Sequence, residues 1–294
     1  MLLKFGLYCP TFGEYSDPKY LTKIAKLAET AGWDGFFIWD HILLTGSGLP
    51  VADAITTLAA IAATTNKIKF GPMVTPIPRR RPWKLAKELI TLDHLSNGRV
   101  ILGAGIGLPD WEFTLFGENP SLKTRAEMLD EGLEIISKMC MGERFAYNGN
   151  QYTILEEQIS PGSVQRPRIP AWIAGTYGNK APFRRAARWD GVFPLKMDVD
   201  MLRKPSECVR NWSSMWLNPD QLAEIVDYVK KRRGSLTGFD VANSGSILGD
   251  SKKFAERKIR QFEKVGASWW LEWILDAPNL VDDYKELIER GPPR

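Results

Sequence analysis

The strongest constraint on this chain is its alternation. Short apolar, strand-like runs take turns with amphipathic helical segments from one end to the other. In the first half the runs KFGLYC (Lys4 to Cys9), DGFFIW (Asp34 to Trp39), KIKFGPMVT (Lys67 to Thr75) and RVILGA (Arg99 to Ala104) are each followed by a helical segment. The first of these, Pro18 to Ala31, puts Leu21, Ile24, Ala25, Leu27 and Ala28 on one face, and Gly32 closes it. Ala52 to Ala63, Pro82 to about Leu95 and Lys123 to Met141 follow, with Pro82 suited to a first helical turn.

The second half repeats the plan with insertions. Asn148-Gly149 inside Phe145 to Leu155 predicts a hairpin excursion. Ile169 to Ala174, Gly191 to Leu195, Asp240 to Ser246 and Trp269 to Leu275 read as strands five to eight. Their helices are predicted over Lys180 to Arg188, Gln221 to Arg233, Lys252 to Val265 and Val281 to Arg290. The stretch 197–219 reads as long and irregular, a lid or substrate-selecting loop. Repeated βα units predict a closed (β/α)₈ TIM barrel with insertions, built as one domain over 1–294. The competing doubly wound sheet wants a glycine fingerprint after its first strand. Here Pro10-Thr11-Phe12-Gly13 stands there instead.

Composition narrows the function. A net charge of +4, with 39 Lys+Arg against 35 Asp+Glu and no basic stripe, points away from nucleic acid. The chain's 3 cysteines (Cys9, Cys140, Cys208) are far apart and form no CxxC. That argues against a disulfide framework and a zinc site, and fits a cytoplasmic protein. No signal peptide or membrane-spanning stretch is expected. With 2 histidines and no HxH, a metal-dependent hydrolase is not expected. No GxSxG or Cys–His pairing supports nucleophilic hydrolysis.

On this fold catalytic groups gather where strands end and βα loops begin. Strand two ends in Asp40-His41, and histidine exchanges protons near neutral pH. His41 is therefore the catalytic candidate, against a structural histidine bonded to backbone. His94, inside a helix, reads as structural or surface. Strand four ends in Gly103-Ala104-Gly105-Ile106-Gly107, either a place of close ligand approach or a tight turn. Gly175-Thr176-Tyr177-Gly178-Asn179 precedes a helix, as a phosphate cradle or as an ordinary loop with Asn179 as N-cap. Arg79-Arg80-Arg81 follow strand three, as solvated arginines or as partners of an acidic ligand. Of the strand-eight tryptophans, Trp273 is the one that could line a pocket.

Taken together, KFGLYCPTFG, AETAGWDGFFIWDH, FGPMVTPIPRRRPWKLAKELITLDHLSNGRVILGAGIG, RAEMLDEGLEII and PRIPAWIAGTYGNKAPFRRAARWDGVFPL resemble the luciferase-like flavin monooxygenase family, which includes bacterial luciferase and the deazaflavin-dependent barrel enzymes. The match runs to about Leu195. It implies a barrel, often dimeric, with a flavin-type cofactor over its mouth. The family's phosphate loop falls on Gly175, Thr176, Gly178 and Asn179, and its strand-two acid and histidine on Asp40 and His41. Its strand-three bulge, often a non-proline cis peptide behind the ring, falls at Met73-Val74, with Val74 and Thr75 against the cofactor. Its strand-four glycines fall on Gly105 and Gly107, flanking Ile106.

Several deazaflavin dehydrogenases carry a catalytic glutamate just after those glycines. Here the place holds Ile106, and the nearest acids are Asp110 and Glu112. The reading is therefore a general oxidoreductase or monooxygenase using reduced FMN on a small organic substrate. It is expected to be a homodimer, served by a separate flavin reductase. The alternatives are a hydride-transferring enzyme of coenzyme F420, whose acidic tail Arg79–Arg81 could meet, a phosphosugar isomerase or aldolase, and a non-catalytic flavin-binding barrel.

Overall fold

A computed structural model describes residues 2–44, 47–108, 110–118, 121–196, 212–275 and 281–294. Along the chain β1 (Lys4–Cys9), α1 (Pro18–Thr30), β2 (Gly35–Ile38), α2 (Ala54–Thr64), β3 (Lys69–Pro72), β4 (Thr75–Pro76), α3 (Pro82–Ser96), β5 (Leu102–Gly105), α4 (Trp111–Thr114) and α5 (Leu122–Met141) come first. Then follow β6 (Arg144–Asn148), β7 (Thr153–Gln158), β8 (Ala171–Thr176), α6 (Lys180–Ala186), β9 (Gly191–Leu195), α7 (Pro219–Arg233), β10 (Asp240–Gly245), α8 (Lys252–Lys264), β11 (Trp269–Trp273) and α9 (Val281–Arg290).

The main sheet has 9 parallel segments in the order β3-β2-β1-β11-β10-β9-β8-β5-β4. Its two ends meet. Phe70 N–H donates to Arg99 O at 3.2 Å and Ile101 N–H donates to Phe70 O at 2.9 Å, closing β3 onto the start of β5. β3 and β4 are one barrel position, interrupted by the cis peptide Met73–Val74 that the resemblance implies. The continuous third strand predicted over Lys67 to Thr75 is therefore two segments. Counting β3 and β4 together turns the 9 segments into the eight strands of a (β/α)₈ barrel.

Alternate strand residues face in and out. Leu7, Phe36, Ile173, Val192 and Val241 face the helices and form one large core with them. Phe37, Trp172, Phe193, Trp269 and Leu271 fill the barrel interior. Large rings there require small partners: a Cβ on Gly35 would lie 2.8 Å from Trp269 Cζ3 and 2.6 Å from Phe37 Cε2.

The bottom of the barrel is tied by Arg99. It is buried and donates to Ala62 O, Thr65 O, Thr65 Oγ1 and Ser96 O at 2.8 Å each, and to Ile68 O at 3.0 Å. Two of these acceptors lie in the last turn of α2, or just past it, where helix carbonyls lack intrahelical donors. The β6–β7 excursion is present, but Asn148 pairs with Thr153, so its loop is longer than an Asn-Gly turn. The reason lies on α5: Glu131 accepts N–H bonds from Asn150 (2.7 Å), Gln151 (3.0 Å) and Tyr152 (2.9 Å), docking the loop on that helix.

Within the predicted irregular stretch 197–219, residues 197–211 lie outside the described residues. Trp212–Met215 forms a 3₁₀ turn, and α7 starts at Pro219 behind an Asn218–Gln221 capping box. A fully buried acid, Glu272, points outward from β11. It accepts from Ile247 N–H (2.9 Å), Ser246 Oγ–H (2.9 Å) and Trp270 Nε1–H (3.0 Å), and burial pushes its carboxyl up to about 7. Among the described residues no helix is long and apolar enough to cross a membrane.

Candidate active site

The C-terminal ends of the strands bring four of the singled-out segments together. β2 runs out into Trp39-Asp40-His41, beside β4 and the turn that follows it. Asp40 is buried and all its oxygens are engaged. Oδ2 accepts from Thr75 Oγ1 and Arg80 Nη2, both at 2.9 Å. Oδ1 accepts from Arg80 Nη2 at 2.9 Å and Arg79 Nη2 at 3.1 Å, and its backbone oxygen takes Arg79 Nη2 at 2.8 Å. Asp40 thus braces Thr75 and the arginines from beneath. Burial disfavours the charged form of Arg80, yet Asp40 outweighs it and holds the guanidinium above its ordinary value.

The three arginines separate in role. Arg79 and Arg80 are paired with internal carboxylates, while Arg81 is exposed near the Trp83 ring. Both earlier readings of the run, solvated cations or contacts to an acidic ligand, fit only Arg81.

Sequence reasoning missed Glu112 as a partner of His41. It is buried on α4, in the loop after β5, and reaches across to the loop after β2. Its Oε2 takes Arg79 Nη1. Its Oε1 takes Ile42 N–H at 2.7 Å and lies 3.3 Å from His41 Nδ1. Burial opposes ionisation of Glu112, but His41, Arg79 and the Ile42 N–H outweigh it and hold the carboxyl below its ordinary value. The available signal was spacing: an acid one helical turn into a glycine-led loop, seen from a strand end bearing a lone histidine.

The loop carrying Glu112 is pinned by Arg125 of α5, which donates to Gly107 O at 2.7 Å and to Asp110 Oδ1 at 2.5 Å. Its guanidinium stacks on Phe113, 4.7 Å from the ring centre.

The floor beside His41 is aromatic. Trp39 packs on His41 (5.8 Å between ring centres), on Tyr8 (5.3 Å) and on Trp273 (5.6 Å), and Trp216 packs on Trp273 at 6.2 Å. Burial pushes the Tyr8 phenol far up, so it stays a neutral hydroxyl. Trp216 Nε1 is a buried donor without a protein acceptor among the described residues.

Val74 is half-buried and packs on this aromatic cluster, as does Ala174. A Cβ on Gly105 would lie 2.9 Å from Val74 Cγ1 and 3.7 Å from Ala174 Cβ, so these three form one shelf. Thr75 lies just beyond it. Ile106 turns the other way, toward the helix-side core.

The loop after β8 is mixed. Gly175 faces α6, where a Cβ would lie 2.7 Å from Pro182 Cβ and 2.8 Å from Phe183 Cε1. Asn179 Oδ1 accepts from Ala181 N–H at 3.0 Å, as an N-cap. Gly178 has φ +88° and open space where a Cβ would stand. Arg185 is held by Asp130 at 2.7 and 2.8 Å. His94 Nε2 lies 2.8 Å from Gly162 O, remote in role from the strand ends. A cavity of about 530 Å³ between Gly249 and α9 shares no residue with this cluster.

An eight-position parallel barrel with a histidine, paired acids and an apolar shelf at its strand ends has the layout of a barrel enzyme. Residues 3–204 match the model of the luciferase-like monooxygenase family, and the chain belongs to that family. It is 27% identical over 290 residues to an F420-dependent glucose-6-phosphate dehydrogenase of Nakamurella multipartita, covering 86% of each chain. It is 32% identical over 178 residues to the protein of the same description from Microbacterium testaceum, but that match covers 59% of this chain and 51% of the relative. In structure it is similar to the coenzyme F420 dependent tetrahydromethanopterin reductase of Methanopyrus kandleri (TM-score 0.75, 18% identity, 99% of both chains). It is also similar to the oxygenating constituent of 3,6-diketocamphane monooxygenase of Pseudomonas putida in complex with FMN (TM-score 0.72, 17% identity, 98% of this chain and 95% of that one).

Proposed function

We propose that this chain is an oxidoreductase of a small organic substrate that works with a flavin-type cofactor, coenzyme F420 in the first place and reduced FMN in the second. The observation that carries the reading is the position of His41, next to the aromatic floor at the strand ends where the Val74–Gly105–Ala174 shelf also lies. A half-buried apolar shelf, with the Trp216 Nε1–H that has no acceptor among the described residues on the same aromatic cluster, suits a flat ring with polar edges. Sequence analysis put FMN first; relatives described as F420-dependent support the reverse order. The FMN-bound neighbour keeps the second reading in place.

Val74, Thr75 and Gly105 would support the ring side of the cofactor, with the Ile106 side chain turned away behind them, and Gly175, Thr176, Gly178 and Asn179 its phosphate side. Asp40 would act through Thr75 and the arginines it holds. When bound, the cofactor supplies hydride transfer, or oxygen activation if it is reduced FMN. The protein's own share is to orient the reactants, keep water from the aromatic floor and move a proton at His41. A homodimer, and a separate reductase for the FMN version, belong to this proposal.

The test is titration of the purified protein with F420 and separately with FMN, oxidised and reduced, by fluorescence or calorimetry. Tight binding of F420 alone supports the first reading, and tight binding of FMN alone moves the assignment to the second. Binding of neither removes the cofactor assignment and leaves the barrel. If a cofactor binds but no turnover follows, the non-catalytic barrel takes its place.

A further inference from the structure

Histidine has two ring nitrogens, and a neutral ring carries its proton on only one of them. Which nitrogen it is decides whether the open one can accept a proton. At His41 the surroundings leave little choice. Nδ1 faces Glu112 Oε1 at 3.3 Å, and the same oxygen already accepts Ile42 N–H at 2.7 Å. The other oxygen, Oε2, accepts Arg79 Nη1. Both carboxylate oxygens are therefore ringed by donors, and a proton on either would point at an N–H. A carboxylate in that setting can only accept.

We propose that Glu112 is a positioning residue that fixes His41 in the Nδ1–H tautomer and so leaves Nε2 as the proton-accepting nitrogen of the site. This rests on the reading of His41 as the proton-handling group. Glu112 acts through His41. Arg79 orients Glu112 in turn, because its two Nη groups span Glu112 and Asp40 and fix where the acid points. Among the described residues Nε2 has no hydrogen-bond partner, as the acceptor of an incoming proton requires. Trp39 packs on the ring, 5.8 Å between centres, and limits its rotation. The acid comes from the loop after β5 and the histidine from the end of β2, so the pair also links two loops around the mouth. A histidine held in its tautomer by a buried acid is a known arrangement in proton-transfer catalysis.

The chain carries its own control. It has 2 histidines, and the other, His94, offers Nε2 to Gly162 O at 2.8 Å. A carbonyl oxygen only accepts, so a neutral His94 must carry its proton on Nε2. The two histidines are expected to be opposite tautomers.

The experiment is long-range ¹H–¹⁵N correlation of the histidine rings in the full chain at a pH where both are neutral, with His94→Gln to assign the signals. The expected spectrum has a protonated, pyrrole-type Nδ1 and a bare, pyridine-type Nε2 at His41, with the reverse at His94. In Glu112→Leu, which leaves no acceptor facing Nδ1, the Nδ1–H form of His41 should become the minority, while His94 stays as it was. A wild-type His41 protonated on Nε2 overturns the proposal, and so does a Glu112→Leu chain with an unchanged His41 signal. The wild-type spectrum decides even if the variant does not fold. Failure here leaves the cofactor titration untouched, and loss of cofactor binding would leave the tautomer result standing.

Discussion

Arg79 lies between two buried acids, donating Nη2 to Asp40 Oδ1 at 3.1 Å and Nη1 to Glu112. The side chains of Asp40 and Glu112 are only 3% and 2% exposed, so neither acid has water to fall back on. Asp40 would keep Arg80, but Glu112 would lose its arginine, and breaking a buried ion pair by removing one partner costs about 3–5 kcal/mol. Arg79→Met should therefore destabilise the chain by an amount of that order in urea unfolding. Arg81→Met, at an exposed position, should stay within about 0.5 kcal/mol of wild type. Equal effects from the two would contradict the separate roles found here.

His41→Ala should lower turnover by about 100-fold or more, as loss of a general acid–base group does, with the cofactor dissociation constant changed by less than about threefold. Steady-state rates together with the cofactor titration measure both quantities. An unchanged rate would remove His41 from the chemistry.

Two glycines should separate packing from binding. Gly175→Ala puts a methyl 2.7 Å from Pro182 Cβ and should loosen α6, costing about 1–3 kcal/mol in thermal unfolding. Gly178 sits at φ +88° over open space, so Gly178→Ala meets no atom and strains only the backbone, by about 1 kcal/mol. If the loop receives a phosphate, Gly178→Ala should weaken cofactor binding more than Gly175→Ala does, and calorimetry with F420 would show the order.

Glu272 makes stability depend on pH. Burial raises its carboxyl from the ordinary 4.5 to about 7, so the folded chain holds this proton more tightly than the unfolded one. The stabilisation is complete below about pH 4.5 and is lost as pH rises through 7, a contribution of roughly 3 kcal/mol. Glu272→Gln, which stays neutral and can still accept the Ile247 N–H, should remove that fall. Melting temperatures at pH 5 and pH 8 would test it; a wild-type chain equally stable at both values would contradict the assignment.

Most of the barrel was legible because its signals are local. Apolar strand runs and periodic helices announce themselves within ten or fifteen residues, and the family resemblance brought in the Met73–Val74 peptide. What escaped needed contacts distant in sequence. Glu112 and His41 are 71 positions apart, and Glu131 reshapes a hairpin loop that its own residues describe as a tight turn. The arginine run looked uniform because a sequence does not show which side chains meet buried acids. Nor does a sequence show that the missing Cβ of Gly175 makes room for Pro182 and Phe183.

Arg99 lies in the segment that leads into β5 and Glu112 in the loop that leaves it, so one strand joins two ends of the molecule with different duties. At the lower end, five donor bonds to α2 and its neighbours hold the barrel shut without reference to any ligand. Above, loops are joined by acid–arginine pairs that share no residue with that seal. A barrel built this way is shut at its lower end whatever its upper rim carries, and it shares its fold with chains under 20% identical to it.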